Sequence, residues 1–293
     1  MKTLESRPLA PGLYVVATPI GNLEDITLRA LRVLRSVDRV ACEDTRQTQK
    51  LLSHFEIQVP TVSCHAHNEA QRSQELIAEL RAGARIALVS DAGMPGISDP
   101  GAHLVAQAVA AGIPVFPIPG ASAAVSALAA SGLDTAAFVF LGFPPPRSGE
   151  RRTFFENLRS ERATLIFYEA PHRIVDSLRD ADQVFGGNRR AVVGREITKL
   201  HEEFVRGTLQ EVERTFASRE LQRGEMTLLI AGAGSAETAG VNDPAGATLR
   251  ERIAALAAEG LDEQSALKRI AKDRGVSKSE VYRDWQREQA RRR

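Results

Sequence analysis

The feature that most constrains the fold is a repeated change of hydrophobic period along the chain. In the first half, short apolar runs rich in β-branched residues alternate with segments whose apolar residues recur at helical spacing. These apolar runs are residues 13–17, 40–42, 86–90 and 113–118. Alternating strands and helices favour a mostly parallel sheet that is covered on both faces. The pattern therefore predicts an α/β fold.

A second series of apolar runs follows "PIPGASAAVSALAASGLD", whose small residues predict a closely packed helix. The runs are residues 138–143, 164–169, 191–198 and 227–234. Between the last two, "ITKLHEEFVRGT" is more typical of a strand or hairpin than of a helix, so we expect a mixed sheet. A length of 293 residues favours two domains. We predict one α/β domain at residues 1–121 and a second at 122–236.

The last fifty residues have the pattern of a small helical extension. "GAGSAETAGVNDPAG" is typical of a linker, and three helical patterns follow within residues 245–293, the third after a "GVS" turn. Ser277 and Glu280 form a capping-box pattern at the start of that third helix. Residues 264–293 contain ten Lys or Arg against four Asp or Glu. The pattern predicts a helix-turn-helix-like extension, although a helical tail that only packs or dimerises would explain it equally well.

Composition sets limits on the compartment and the partners. The formal net charge is +1, so the charge of the whole chain does not identify a partner. Two cysteines, Cys42 and Cys64, make no disulfide framework and suit a reducing compartment. No apolar run approaches the length of a membrane helix, and "MKTLESRPLAPG" lacks the apolar core of a signal peptide. We expect a cytoplasmic protein with no membrane partner.

Three strand ends of the first half are tightened by Pro and Gly: "ATPIGNLEDIT" (17–27), "LVSDAGMPGISDPG" (88–101) and "PIPGASA" (117–123). The carboxyl ends of parallel strands meet at one edge of a sheet, where ligands bind. Asp91 directly follows its strand, where a carboxylate suits a hydroxyl or a cationic group and opposes a phosphate. Each loop alone is explained by turn chemistry, with Asp91 or Ser122 as caps. Together they predict a ligand crevice.

Polar clusters mark further strand ends, namely "CEDTR", "CHAHNE", "YEAPHRI" and "REITKLHEE". Cys64 with His65 and His67 suggests a metal, but no second ligand cluster accompanies them. We therefore predict no metal site. The structural alternatives are an ion pair between Arg195 and Glu196 and a solvated hairpin around Glu202.

These motifs, in this order, resemble the tetrapyrrole methylase superfamily of S-adenosylmethionine-dependent methyltransferases. The resemblance spans nearly the whole chain and rests on "ATPIGNLEDIT", "CEDTR", "HNE", "SDAGMPGISDPG", "PIPGASA", "LGFPP", "YEAPHRI" and "GREITKLHEE". It implies two α/β domains with S-adenosylmethionine in the cleft between them, and a homodimer. Within the superfamily the chain is most similar to the enzymes of small-subunit ribosomal RNA. That similarity implies methylation of the ribose 2′-oxygen of a decoding-centre cytidine, cytidine 1402, in 16S rRNA of the small ribosomal subunit.

The resemblance also assigns roles to individual residues. The cofactor contacts that it implies are Pro19, Ile20, Asp91, Met94, Ser122, Ala123, Ile230 and Ala231. The 2′-hydroxyl is a poor nucleophile until its proton is accepted or polarised. Candidates for that task are Glu43, Asp44, Lys199 and Glu202, together with His172, which could instead cap a helix. Candidates for binding RNA phosphates are Arg46, Arg173 and Arg195.

Two other functions remain open from the sequence. A methyltransferase for a tetrapyrrole precursor would need convergent Arg and Lys for the substrate carboxylates, and no helix-turn-helix. A ligand-sensing DNA-binding regulator would use the basic extension and read half-sites about one helical turn apart. The many polar strand ends favour an enzyme over the regulator.

Overall fold

The computed structural model describes residues 8–65, 68–234, 261–273 and 281–283, together with the single residues 249, 253, 256 and 285. The chain divides into two compact units, Met1–Gly232 and Ala233–Arg293. Both sheets lie in the first unit, so the predicted division of that unit at residue 121 stays a prediction. Within the described ranges, no helix has the length and apolar composition that crossing a bilayer requires.

The first sheet has five parallel strands in the order β3-β2-β4-β1-β5. The strands are β1 (Gly12–Val16), β2 (Arg39–Cys42), β3 (Thr61–Ser63), β4 (Arg85–Val89) and β5 (Val115–Ile118). Because all five run in one direction, their carboxyl ends share one edge. This places the three Pro- and Gly-rich loops side by side, as the sequence predicts.

Helices cover both faces of this sheet. They are α1 (Leu28–Leu34), α2 (Thr45–His54), α3 (Glu69–Arg81) and α4 (Ala102–Ala110). Successive strand residues point to opposite faces, so Ala87 packs with α1 and α2 while Leu88 packs with α3 and α4. Burial on both faces explains why these strands appear in the sequence as continuous apolar runs.

The second sheet is mixed, in the order β6-β7-β10-β8-β9. Its strands are β6 (Phe138–Phe140), β7 (Thr164–Glu169), β8 (Arg190–Arg195), β9 (Glu203–Thr208) and β10 (Met226–Ile230). Only β6 and β7 pair in parallel, and the other neighbours are antiparallel. The predicted α/β class and the mixed second sheet are confirmed.

Four further helices complete the first unit: α5 (Ala123–Ser131), α6 (Ser148–Glu156), α7 (Ile174–Phe185) and α8 (Leu209–Ala217). The last three pack on one face of the second sheet. On the other face, Ala124, Ala127 and Leu128 of α5 pack with Ile166 and with Ile20 from the loop after β1. The small residues of α5 thus bring the loop after β5 against the second sheet.

The second unit contains α9 (Glu263–Asp273). A small core joins Leu267, Ile270 and Ala271 of this helix to Val281 and Trp285. The indole Nε1 of Trp285 donates a hydrogen bond to Glu263 Oε1 at 3.0 Å. The predicted capping box of Ser277 and Glu280 lies outside the described residues.

Candidate active site

A cavity of about 650 Å³ lies within the first unit, where the carboxyl edge of the first sheet approaches the second sheet. The first sheet contributes the loops after β1, β4 and β5. The second sheet contributes β6 and the loop after it, the end of β7, the loop after β8 and the start of β10. The crevice that the sequence predicts is therefore a cavity that both sheets line.

The loops after β1 and β4 are locked to each other. Thr18 N donates to Gly93 O at 2.9 Å, and Gly93 N donates back to Thr18 O at 3.1 Å. The Thr18 hydroxyl donates to Ser90 O at 3.1 Å. Gly93 has a φ of 79°, which a residue with a side chain adopts only with strain. The pairing holds Ile20 and Met94 in the cavity wall.

The loop after β5 approaches the first strand closely. A Cβ atom at Gly120 would lie 2.8 Å from the Cβ of Ala17, so only glycine fits there. The next residues, from Ser122 to Val125, line the cavity. The Ser122 side chain makes no capping hydrogen bond to α5, so its hydroxyl is not used to cap the helix. The alternative in which the Ser122 side chain serves only to cap α5 is therefore not what the structure shows.

Carboxylates gather at the same edge. Asp44 N donates to Asp91 Oδ1 at 3.3 Å, which joins the ends of β2 and β4. Partial burial, with the charges of Asp91 and Asp99, raises the pKa of Glu43. Burial also raises the pKa of Asp99, against a hydrogen bond from Ser90 that lowers it. Asp99 lines the cavity. The sequence does not single out this residue, because Asp-Pro-Gly is equally typical of a turn.

Asp44 has a different environment from its neighbours. Its carboxylate caps α2 by accepting from Arg46 N at 2.8 Å, and it pairs with Arg46 Nη2 at 2.9 Å. Hydrogen bonds from the Arg46 side chain and backbone lower the pKa of Asp44 to about 2. A carboxylate with so low a pKa is a weak base.

The loop after β8 carries Lys199 and Glu202. Lys199 Nζ donates to Glu196 Oε1 at 2.8 Å and to Glu225 Oε2 at 3.1 Å. Burial opposes the charge of Lys199, but these hydrogen bonds outweigh it and raise the pKa. Glu202 Oε2 accepts from Thr198 N at 2.7 Å. The cavity wall here is formed by Ile197 and Glu225, and neither Lys199 nor Glu202 lines the cavity.

All three predicted RNA-binding arginines make an ion pair within the protein, but they differ in exposure. Arg173 Nη2 pairs with the buried Glu169 at 2.6 Å. Arg195 Nε pairs with Glu203 at 3.0 Å, so its partner is not the neighbouring glutamate that the sequence suggested. The Arg46 side chain is 86% exposed despite its pairing with Asp44. Arg46 is thus the best placed of the three to meet a phosphate.

The predicted cofactor residues fall into two groups. Ile20, Met94, Ser122 and Ala123 line the cavity. Pro19 is buried and Asp91 is exposed beside the cavity, neither in its wall.

The structure does not bring Ile230 and Ala231 to the cavity. Strand β10 runs antiparallel to β7, with Met226 opposite Glu169 and Ile230 opposite Leu165. The start of β10 therefore lies at the cavity, and its end lies at the far edge of the sheet. Met226 and Thr227 line the cavity in their place.

The second sheet also supplies aromatic walls, which the sequence analysis missed. Phe140 and Tyr168 meet edge to face with ring centroids 4.9 Å apart. Burial raises the pKa of Tyr168, so its hydroxyl stays protonated. Phe138 and Phe143 line the cavity beside them.

The lining fits a nucleoside methyl donor. Its walls are mostly apolar, with few polar groups such as Ser122, Thr227 and Asp99, as is usual for nucleoside-sized ligands. Of the described residues that line the cavity, none is Lys or Arg. A carboxylate without cations suits a ligand that carries an ammonium and a sulfonium, and it disfavours a triphosphate. Elsewhere in the described ranges, no three His, Cys, Asp or Glu side chains are grouped to hold a metal ion, and His67 lies outside those ranges.

Comparison with known proteins agrees with this geometry. Residues 12–213 match the family model of the tetrapyrrole (corrin/porphyrin) methylases. The ribosomal RNA small subunit methyltransferase I of Halalkalibacterium halodurans is 48% identical, covering 94% of this chain and 95% of that protein. The enzyme of the same name from Pseudomonas aeruginosa is 51% identical, covering 75% and 78% respectively.

Among solved structures, a uroporphyrin-III-C-methyltransferase from Thermus thermophilus has the same fold. Its TM-score is 0.54 at 22% identity, covering 75% of this chain and 94% of that one. The family model spans more than half of the present chain, and the Halalkalibacterium enzyme matches nearly all of it. The chain therefore belongs to the tetrapyrrole (corrin/porphyrin) methylase family, whose members take the methyl group that they transfer from S-adenosylmethionine.

Proposed function

We propose that this chain methylates the ribose 2′-oxygen of cytidine 1402, in the decoding centre of 16S rRNA. The observation that carries the proposal is similarity over nearly the whole chain to enzymes named for small-subunit ribosomal RNA. Membership of the methylase family supports methyl transfer, and the names of the relatives support small-subunit ribosomal RNA as the substrate. The ribose oxygen and the particular cytidine come from the motif resemblance. A homodimer and a cytoplasmic location are further predictions of that resemblance.

The residues that would hold S-adenosylmethionine are those that the loops of the first sheet contribute to the cavity wall, together with Thr227. Ile20, Met94 and Ala123 offer apolar contacts, while Ser122 and Thr227 offer hydroxyls. The bound donor supplies a methyl group that is already activated on a sulfonium. The protein therefore has to align the acceptor oxygen with that methyl group and exclude water, because positioning provides much of the rate in such a transfer.

The acceptor hydroxyl needs a group that takes its proton. Asp99 is the best-placed carboxylate, because it lines the cavity and burial raises its pKa. Glu43, whose pKa is also raised, stands behind it at the sheet edge. Asp44 is too weak a base, and Lys199 is held as a cation by two glutamates. We therefore assign proton acceptance to Asp99, with Glu43 as its neighbour.

RNA phosphates would meet the protein outside the cavity. A groove on α2 is lined by Arg46, Lys50, Gln49 and Ser53, together with Thr45 and Thr61. All of these side chains can donate hydrogen bonds, and α2 contains no Asp or Glu. The helix begins beside Asp91, at the cavity edge. This groove suits the backbone of a strand whose target ribose enters the cavity.

The tetrapyrrole alternative is less well supported. Its substrate would carry several carboxylates and would need convergent cations. None of the described residues in the cavity wall supplies one. The wall instead contributes the carboxylate Asp99, together with Glu169 and Glu225, which are paired with Arg173 and Lys199.

The test uses small ribosomal subunits that lack this modification. The protein is incubated with them and with S-adenosylmethionine labelled in the methyl group, and the RNA is then digested to nucleosides. We expect label in 2′-O-methylcytidine. Label in another nucleoside would refute the assigned oxygen or base, and binding of the donor without label in RNA would redirect the search to small acceptors.

A further inference from the structure

Two large aromatic side chains that line the cavity are left partly exposed by the packing of the protein itself. Phe143 is 54% exposed and Phe138 is 46% exposed, and both line the cavity. A single exposed apolar residue is ordinary, but two exposed rings in one concave wall indicate a surface that a ligand covers. The question is which part of a ligand Phe143 receives.

The backbone around Phe143 is fixed on both sides. Immediately before it, Gly142 O accepts from Tyr168 N at 2.9 Å, which ties the loop to β7. Two and three residues after it, the carbonyls of Pro145 and Pro146 accept from Arg151 Nη1 at 3.4 and 3.2 Å. The backbone that carries the ring is therefore held in place before any ligand arrives, which lowers the entropic cost of binding.

Arg151 is itself buried, with 2% of its surface exposed. Its guanidinium pairs with Asp180 on α7, at 2.8 Å from Nε and 2.6 Å from Nη2 to Oδ2. Ser148 Oγ donates to the other oxygen of Asp180 at 2.9 Å. A buried ion pair is expensive to desolvate and adds little net stability. Here the Arg151 side chain also donates to two carbonyls of the loop that carries Phe143. The ion pair therefore has a role in positioning that loop.

The ring of Phe143 is set up for stacking. Tyr168 meets it edge to face, with centroids 5.8 Å apart and an interplanar angle of 61°. Tyr168 in turn is braced by Phe140. A rigid, half-exposed ring accepts another planar ring of any sequence, as in proteins that bind single-stranded nucleic acid.

Charge decides which part of a nucleotide enters. The wall carries Asp99, Glu169 and Glu225, and its described residues include no cation. Glu169 and Glu225 are already paired with Arg173 and Lys199. A phosphate would therefore find no cation among the described residues of this wall, whereas a neutral base and its ribose need none. The cations of the α2 groove, Arg46 and Lys50, lie outside the cavity wall. The arrangement fits a nucleotide that has left its stack and points its base inward.

We propose that Phe143 is the stacking platform for the base of the target pyrimidine nucleotide, held rigid by the Arg151–Asp180 pair. This inference rests on the proposed function and adds to it the residue that receives the base. It assigns Phe143 to the RNA, not to the methyl donor.

The test compares Phe143→Ala, Phe143→Leu and Phe143→Tyr with the wild-type protein. Loss of stacking on one base should raise KM for unmodified small subunits roughly tenfold to a hundredfold in the Ala variant. Leu keeps the apolar volume without the ring and should recover little, whereas Tyr should stay within about threefold of wild type. The Kd for S-adenosylmethionine, measured by calorimetry, should be unchanged in all three.

A matched control is Leu221→Ala, which removes another exposed apolar side chain that does not line the cavity. A direct readout is a short single-stranded RNA with a fluorescent cytidine analogue at the target position. Its fluorescence should be quenched by the wild type and by Phe143→Tyr, and not by Phe143→Ala. Circular dichroism melts check that each variant folds.

Three outcomes would overturn the inference. Equal weakening of donor binding and of RNA use would place Phe143 on the donor. An unchanged KM and unchanged quenching in Phe143→Ala would remove Phe143 from the site. If the wild type fails to label the subunits, the proposed function fails first, and the stacking assignment falls with it.

Discussion

At the residue scale, environment separates carboxylates that look equivalent in sequence. Asp44 and Asp99 both follow a turn at the same sheet edge, yet an arginine lowers the pKa of Asp44 to about 2 while burial raises that of Asp99. A base with the higher pKa accepts a proton more readily. The catalytic assignment therefore depends on what surrounds each carboxylate.

We expect Asp99→Asn to lower kcat about a hundredfold, because general base catalysis typically contributes that much or more. In the wild type, activity should fall as the pH drops through the raised pKa of Asp99, since the protonated acid accepts no proton. This acid limb should vanish in the variant. The pH dependence of single-turnover methylation measures both effects.

The control for that measurement is Asp176→Asn, the same chemical change at an exposed position on α7. It should leave rate and pH profile as in the wild type. A kcat for Asp99→Asn within threefold of wild type, with the acid limb intact, would show that another group takes the proton.

At the scale of single elements, the loop between β6 and α6 depends on one buried ion pair. Arg151→Leu leaves the Asp180 carboxylate buried without its cation, and removing one partner of such a pair costs about 3–5 kcal/mol. We expect the free energy of unfolding, measured by urea titration, to fall by that amount. KM for the subunits should rise as well, since the loop that carries Phe143 loses its anchor.

The double variant Arg151→Leu with Asp180→Leu separates stability from function. Replacing both partners by apolar residues is often neutral for folding, so stability should recover. KM should stay raised because the carbonyls of Pro145 and Pro146 still lack their donor. Recovery of KM together with stability would show that the pair serves folding alone.

The sequence predicts those strands and helices in which burial on the sheet produces a recognisable hydrophobic pattern. Strands β1, β2, β4 and β5 appear as continuous apolar runs because helices cover both faces of the sheet. Strand β3 is a three-residue edge strand that is only half-buried, so it leaves no such run. Helix α2 buries only Thr48 and Leu52, and its polar sequence does not stand out from a loop.

The candidate site likewise has one part that the sequence predicts and one part that it does not. Loops after parallel strands must meet at one edge, so Ile20, Met94 and Ser122 could be predicted to share a crevice. The wall from the second sheet depends on the direction of β10 relative to β7. No local pattern encodes that direction. The sequence therefore does not single out Thr227 and Tyr168, and it does not show that Ile230 lies at the far end of its strand from the cavity.

At the scale of the whole molecule, the proposed RNA binding would depend on local charge, because the net charge is only +1. We expect the double variant Arg46→Gln with Lys50→Gln to weaken binding of small subunits. It should also reduce the slope of log Kd against log salt by about one unit for each lost charge. Filter binding across salt concentrations measures both.

The matched control is Arg179→Gln, which removes an exposed charge from α7. Its salt slope should equal that of the wild type. An unchanged slope in the α2 double variant would mean that the groove does not meet phosphates.

The two compact units allow methyl-donor binding to be separated from RNA recognition. The described residues that line the cavity all belong to Met1–Gly232, and the described residues of the core around α9 lie beyond that unit. A chain of residues 1–234 should therefore bind S-adenosylmethionine within about threefold of the full chain, because none of the residues that line its cavity are lost.

If the basic extension contributes to RNA recognition, the same truncation should raise KM for the subunits and reduce the salt slope. An unchanged KM would show that the extension only packs or dimerises. Loss of donor binding would contradict the independence of the two units, and with it the assignment of the whole methyl-donor site to the first.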